Sequence, residues 1–135
     1  MSQICTSRSQ SERLLALGIK AETADMFYSH DKGEDIYAIR ACWEDFWSSK
    51  KLIDGHIRRH CIPAWSLHRL IELLQKQVYQ TEDSGIPCDL NIHYDSGTWL
   101  IVYICERDGR FKTERLDLID ALYDMIVKLK EEGVI

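Results

Sequence analysis

Two histidines four residues apart followed by a cysteine, His56-x-x-x-His60-Cys61, form the grouping in this sequence best suited to chemistry. On a helix, His56 and His60 share one face, and imidazole and thiolate are the ligands zinc favours. The set is nevertheless incomplete. A catalytic site of the HExxH kind needs a glutamate beside the first histidine to serve as base, and Ile57 stands there instead. A structural site needs four ligands, yet Cys5, Cys42, Cys88 and Cys105 arrive singly, with no CxxC pair. Arg58 and Arg59, between the histidines, would also oppose a dication. The expectation is a protein without metal or cofactor. Nucleophilic chemistry has no better footing, because the sequence contains no GxSxG elbow, no phosphate-binding glycine loop and no deaminase-type HxE with PCxxC. Cys61 beside His60 is the nearest thing to a Cys-His pair, but neighbours along a chain seldom point at each other as nucleophile and base must. Glu44-Asp45 and Glu131-Glu132 read as solvated helix faces. No catalytic residue is therefore assigned.

Charge gives the second set of candidates. The chain has 135 residues and a formal net charge of −5, which disfavours general binding to a polyanion. Between positions 50 and 69, however, Lys50, Lys51, Arg58, Arg59 and Arg69 face only Asp54 as a formal counter-charge. These five cations are the candidate partner-binding residues. Grouped on one face they would suit an acidic protein or a nucleic acid; dispersed among carboxylates they are a solvated loop, the reading preferred here.

The elements that would position these residues follow from periodicity and turn chemistry. Residues 1–10 are polar and serine-rich and predict a disordered start, with a single domain over 11–135. Ser11 is placed to cap a helix through Leu14, Leu15 and Leu17 that stops at Gly18, and a second short helix is predicted from about Ala21 to Phe27. The pair has a helix-turn-helix outline without base-reading chemistry, since Glu22, Thr23 and Asp25 stand where cations or amides would be needed. Ile36, Ile39, Trp43, Phe46 and Trp47 fit a helix, although a short strand fits IYAIRA equally. Leu52-Ile53-Asp54-Gly55 predicts a turn, and Pro63 forces Ile62 to be extended. Ser66 should cap a helix LHRLIELLQKQVY. After it come strands CDLNIHY, WLIVYIC and an edge strand FKTERL, joined by turns at Asp95–Thr98 and Asp108-Gly109. Asp117 then caps a closing helix with Ile119, Leu122, Ile126 and Leu129 on its apolar face, ended by Gly133. The fold class is α+β: N-terminal helices, a three-stranded antiparallel meander and a C-terminal helix packed on the sheet.

The segments LLALGIKAETADMFY, IPAWSLHRLIELL, YDSGTWLIVYICE and LIDALYDMIVKLKEEGVI resemble a family of small uncharacterised proteins encoded in prophages and conjugative elements of gut bacteria. The likeness runs from about Leu14 to Ile135. In that family a proline tends to close the helix that begins at PAWSL, whereas here LLQKQ continues. The resemblance implies an accessory role on a mobile element and brings no catalytic residues with it.

No apolar run reaches the roughly 20 residues that cross a bilayer, and the N-terminal stretch lacks the apolar core of a secretory signal. The expectation is a cytoplasmic protein without membrane contact, its five cysteines reduced thiols. The functional expectation is a non-catalytic factor that binds another protein, or a second copy of itself. A nucleic-acid accessory role through residues 50–69 ranks second, and an enzyme with an unrecognised site third.

Overall fold

The structure is a computed structural model that describes residues 4–28, 36–39, 52–53, 56–57, 62–74, 77–79, 87–105 and 108–135. The fold is α+β, and the chain divides into two compact units, one over 3–69 and one over 70–135.

In the first unit, α1 (Arg8–Ala16) starts four residues earlier than expected, because Ser7 rather than Ser11 is the cap. Ser7 Oγ accepts from the Gln10 N–H while Gln10 Oε1 accepts from the Ser7 N–H, a reciprocal box that satisfies two helix-end donors at once. Ser11 is buried inside the helix, its hydroxyl 2.8 Å from that of Thr6. The stretch expected to be disordered is thus structured from Ile4 onward, with Cys5 and Thr6 both buried. Gly18 ends the helix region at φ 95°, as predicted.

The predicted second helix is replaced by a 3-10 turn (Ala21–Thr23) and strand β1 (Met26–Tyr28), which removes the helix-turn-helix outline. β1 pairs antiparallel with β2 (Ile36–Ala38) on one side and β5 (Ile62–Ala64) on the other. Residues 36–38 are therefore strand, not helix; Trp43, Phe46 and Trp47 lie outside the described residues. Pro63 does not end the element. It sits in β5, an edge strand, where its missing N–H does little harm. A two-stranded ladder of β3 (Leu52–Ile53) and β4 (His56–Ile57) flanks the predicted turn.

The second unit begins within α2 (Leu67–Leu73), which is shorter than the predicted helix because Gln77–Tyr79 form strand β6. The meander of β7 (Pro87–Asp95), β8 (Thr98–Cys105) and β9 (Asp108–Arg115) is present in sequence order, and β6 adds a fourth strand beside β7. Between β7 and β8 the loop Ser96-Gly97 has φ of 53° and 84°, the paired positive angles of a type I′ turn. Asp108-Gly109, expected to be the other turn, lies instead inside β9. The register there slips, from Tyr103↔Phe111 to Ile104↔Gly109, so the glycine marks a bulge and not a loop.

Helix α3 (Leu118–Glu131) closes the unit, capped by Asp117, whose carboxylate accepts from the Ile119 and Asp120 N–H groups. Ile119, Leu122, Ile126 and Leu129 are buried as predicted, together with Ala121 and Met125. The Thr113 hydroxyl donates to the Ala121 carbonyl at 2.9 Å, which puts Thr113 and its register partner Ile101 on the helix-covered face. Tyr103 and Phe111 meet edge to face on the same side, ring centroids 6.4 Å apart. Ile101, Val102 and Tyr103 are all buried, so β8 is central with both faces covered at its middle.

Burial pushes the Tyr103 phenol up to about 12. Its folded value lies above the roughly 10 of an exposed tyrosine, so the folded state holds the proton more tightly than the unfolded chain. The resulting stabilisation is complete below about pH 10 and is lost as the pH climbs towards about 12. Tyrosinate absorbance followed with circular dichroism should show one tyrosine ionising late and together with unfolding, a component missing in Tyr103→Phe. Ionisation of every tyrosine before any loss of structure would contradict this environment.

The cysteines depart from the reduced-thiol expectation. Cys5 is a buried free thiol, but Cys88, on β7, is disulfide-bonded; its partner lies outside the described side chains. A search for CxxC pairs could not find this bond, because folding joins cysteines that no local spacing links. In denaturant without reductant, alkylation should label Cys5 and spare Cys88, with Cys88 labelled only after reduction. Labelling of both from the start would restore the all-thiol expectation.

Candidate functional site

Of the five candidate cations, Lys50, Lys51, Arg58 and Arg59 lie outside the described residues. Arg69 is described, on α2, and is engaged within the fold: its Nε donates to the Thr23 carbonyl at 2.6 Å, tying the helix to the 3-10 turn. The same helix start is held by Asp25, whose carboxylate accepts from both the N–H and the hydroxyl of Ser66. Ser66 Oγ in turn accepts from the Arg69 N–H, the capping role predicted for it. Arg69 therefore serves as a brace in this structure. His56 is described only through its place in β4, while His60 and Cys61 lie outside the described residues. Among the described residues no group of three or more His, Cys, Asp or Glu could hold a metal ion, and no helix is long and apolar enough to cross a membrane.

Two places in the described structure merit comparison as sites. The first is an open cavity of about 390 Å³ lined by Ser7, Arg8, Ser9, Tyr28 and Ile36. Its polar groups largely serve one another. Ser7 is the helix cap, and the Arg8 guanidinium stands 5.0 Å from the centre of the Tyr28 ring. The Tyr28 hydroxyl donates to the Thr6 carbonyl at 2.8 Å and lies 4.0 Å from Cys5 Sγ. Burial, and secondarily the charge of Asp25, pushes the Cys5 thiol up against the lowering contact with Tyr28, which leaves it a poor nucleophile.

The second is the turn end of the four-stranded sheet. Tyr94 and Trp99 are directly opposed across β7 and β8, next to the Ser96-Gly97 turn. Their rings lie 5.0 Å apart at 54°, and Tyr94 is 62% exposed although its neighbours in the alternation, Leu90 and Ile92, are half-buried. Trp99 pairs on its other side with Arg115, and the next residue along, Leu116, is 80% exposed. The strand alternation marks Tyr94 as inward-facing, but the cover over the sheet ends before this pair. No periodic signal separates the two situations.

Carboxylates occur on both faces of this end. Arg115 is 2.7 Å from Asp124 and 3.5 Å from Asp120, and the hydrogen bond to Asp124, then the charges of Asp124, Asp120 and Asp117, hold its guanidinium above the usual arginine range. On the neighbouring strand end, the Thr98 hydroxyl donates to Glu114 at 2.8 Å, and Asp95 faces Thr98 across the turn. The arrangement offers no acid, base or nucleophile aimed at a common point. It offers an exposed Tyr94 ring packed on Trp99, with Arg115 and its carboxylate partners on the same face of the sheet and Asp95, Thr98 and Glu114 on the other. Comparison of the chain with protein-family models, with curated proteins and with solved structures gave no match.

Proposed function

We propose that this protein is a non-catalytic interaction factor, an accessory of a phage or mobile element, that binds a protein partner through the turn end of its four-stranded sheet. The observation that carries the reading is the exposed Tyr94 ring packed on Trp99, with a second large apolar side chain, Leu116, exposed at the end of β9. Large aromatic side chains left at a surface are the type of residue on which binding energy concentrates, because they cover much area with few rotatable bonds. The mobile-element part of the reading rests on the family resemblance of the sequence.

Tagged protein recovered from its native host, compared with Tyr94→Ser/Leu116→Ser, tests this. Both positions are exposed, so the double variant should keep the wild-type circular dichroism and urea midpoint within about 0.5 kcal/mol of equivalent stability. The expected result is a protein that co-purifies in stoichiometric amount with wild type and is lost from the variant. Identical recovery with both proteins would overturn the reading.

A further inference from the structure

From the strand register we infer that the disulfide of Cys88 is closed by Cys105, a cross-strand bond that staples the open end of the β7–β8 hairpin. Cys88 is fully buried and disulfide-bonded, whereas Cys5 is a free thiol. Of the other three cysteines, Cys42 and Cys61 fall in the first unit, and Cys105 alone shares the second with Cys88. β7 and β8 pair without a slip from Asp95↔Thr98 to Asp89↔Ile104, so one further step in the same register sets Cys105, the last residue of β8, opposite Cys88. The bulge beside Ile104 belongs to the β8–β9 ladder and puts its extra residue, Arg110, in β9, which leaves the β7–β8 register intact. On its other side Cys88 is opposed by Val78, which has no sulfur to offer.

The kind of pair also fits. A two-residue turn makes its flanking pair, Asp95↔Thr98, a hydrogen-bonded one, and the two kinds of pair then alternate along the ladder. Tyr94↔Trp99 is accordingly a non-hydrogen-bonded pair, in keeping with its ring contact, and Cys88↔Cys105, an even number of steps farther on, is another. Such pairs bring their Cα atoms to roughly 4.5 Å, inside the range of about 4.4–6.8 Å that a disulfide spans, and directly opposed residues share a face of the sheet. The bond forms by thiol–disulfide exchange with a disulfide donor of the glutathione type. One cysteine thiolate attacks the donor and displaces half of it as a thiol; the second attacks the mixed disulfide and releases the other half. The donor carries away the two electrons and, as two thiols, the two cysteine protons.

The test is disulfide mapping of the full chain after equilibration in an oxidising glutathione buffer. Free thiols are alkylated in denaturant, and the protein is then digested, without reductant, by a protease that cuts before aspartate. Asp89 and Asp95 lie between the two cysteines, so the fragments carrying Cys88 and Cys105 separate unless the bond joins them. The expected result in mass spectrometry is one linked species that holds both fragments and that reductant splits. Cys42→Ser/Cys61→Ser should give the same linked species in undiminished yield. Cys88 found linked to Cys42, Cys61 or Cys5, or alkylated in the wild type, would overturn the pairing. The wild-type map decides this even where the variant fails to fold.

Discussion

Leu122→Ala is expected to lower the stability of the second unit by about 2–5 kcal/mol, the range for removing a large aliphatic side chain from a packed core. Leu122 is fully buried, as are Ile119, Met125, Ile126 and Leu129 on the same helix. The helix is held over the sheet at a fixed height, through the Thr113 hydroxyl on the Ala121 carbonyl and through Arg115 on Asp124. A helix anchored on both sides of the deletion relaxes poorly into the space left behind, which favours the upper part of that range. Lys128→Ala on the same helix should cost less than about 1 kcal/mol, chiefly the weak attraction of a cation to the helix C-terminus. The comparison is made by urea denaturation. Equal shifts of the two midpoints would mean that α3 does not pack on β8 and β9 as described.

This helix is also where the sequence was most informative. Its signals are all local: an aspartate cap, apolar residues every three or four positions, and a glycine at φ 72° after the end. The β7–β8 turn was legible for the same reason, since Asp95-Ser96-Gly97-Thr98 carries its own geometry. Where the deciding partner is distant, local signals mislead. MFY and QVY continue plausible helices, yet each pairs with strands from elsewhere, Met26–Tyr28 with Ile62–Ala64 and Gln77–Tyr79 with Pro87–Asp89. Asp108-Gly109 has ideal turn chemistry but is paired into β9, where the register slips by one residue.

The candidate site shows the same limit. Composition singled out cations, and Arg69 proves to brace Thr23, a partner 46 positions away that no spacing rule links to it. Alternation groups Tyr94 with Leu90 and Ile92 on one face of β7, but a period of two reports which side a residue faces and not how far the opposing layer extends. The exposure of Tyr94 is a property of the assembled unit.

Trp65→Ala is expected to cost about 3–5 kcal/mol in the first unit, the other large effect. The side chain is fully buried, and its indole N–H donates to the Thr23 hydroxyl at 3.0 Å. That hydroxyl donates onward to the Lys20 carbonyl at 2.7 Å, so the indole locks the 3-10 turn as well as filling the core. The backbone of Trp65 is bonded separately: its N–H donates to Thr6 Oγ1 at 3.1 Å and its carbonyl accepts from the Thr6 N–H at 3.0 Å. These bonds survive truncation, so the loss belongs to the side chain and should not disrupt the pairing of residues 5–6 with 65–66. Trp65→Phe should cost less, about 1–3 kcal/mol, since it keeps an aromatic ring in place while surrendering volume and the N–H bond. Leu15→Ala, on the exposed side of α1, supplies the reference and should stay within about 1 kcal/mol. Urea titration of the three variants should therefore rank Trp65→Ala below Trp65→Phe and both below Leu15→Ala in stability; a Trp65→Ala midpoint no lower than that of Leu15→Ala would show that the first unit is not organised around this indole.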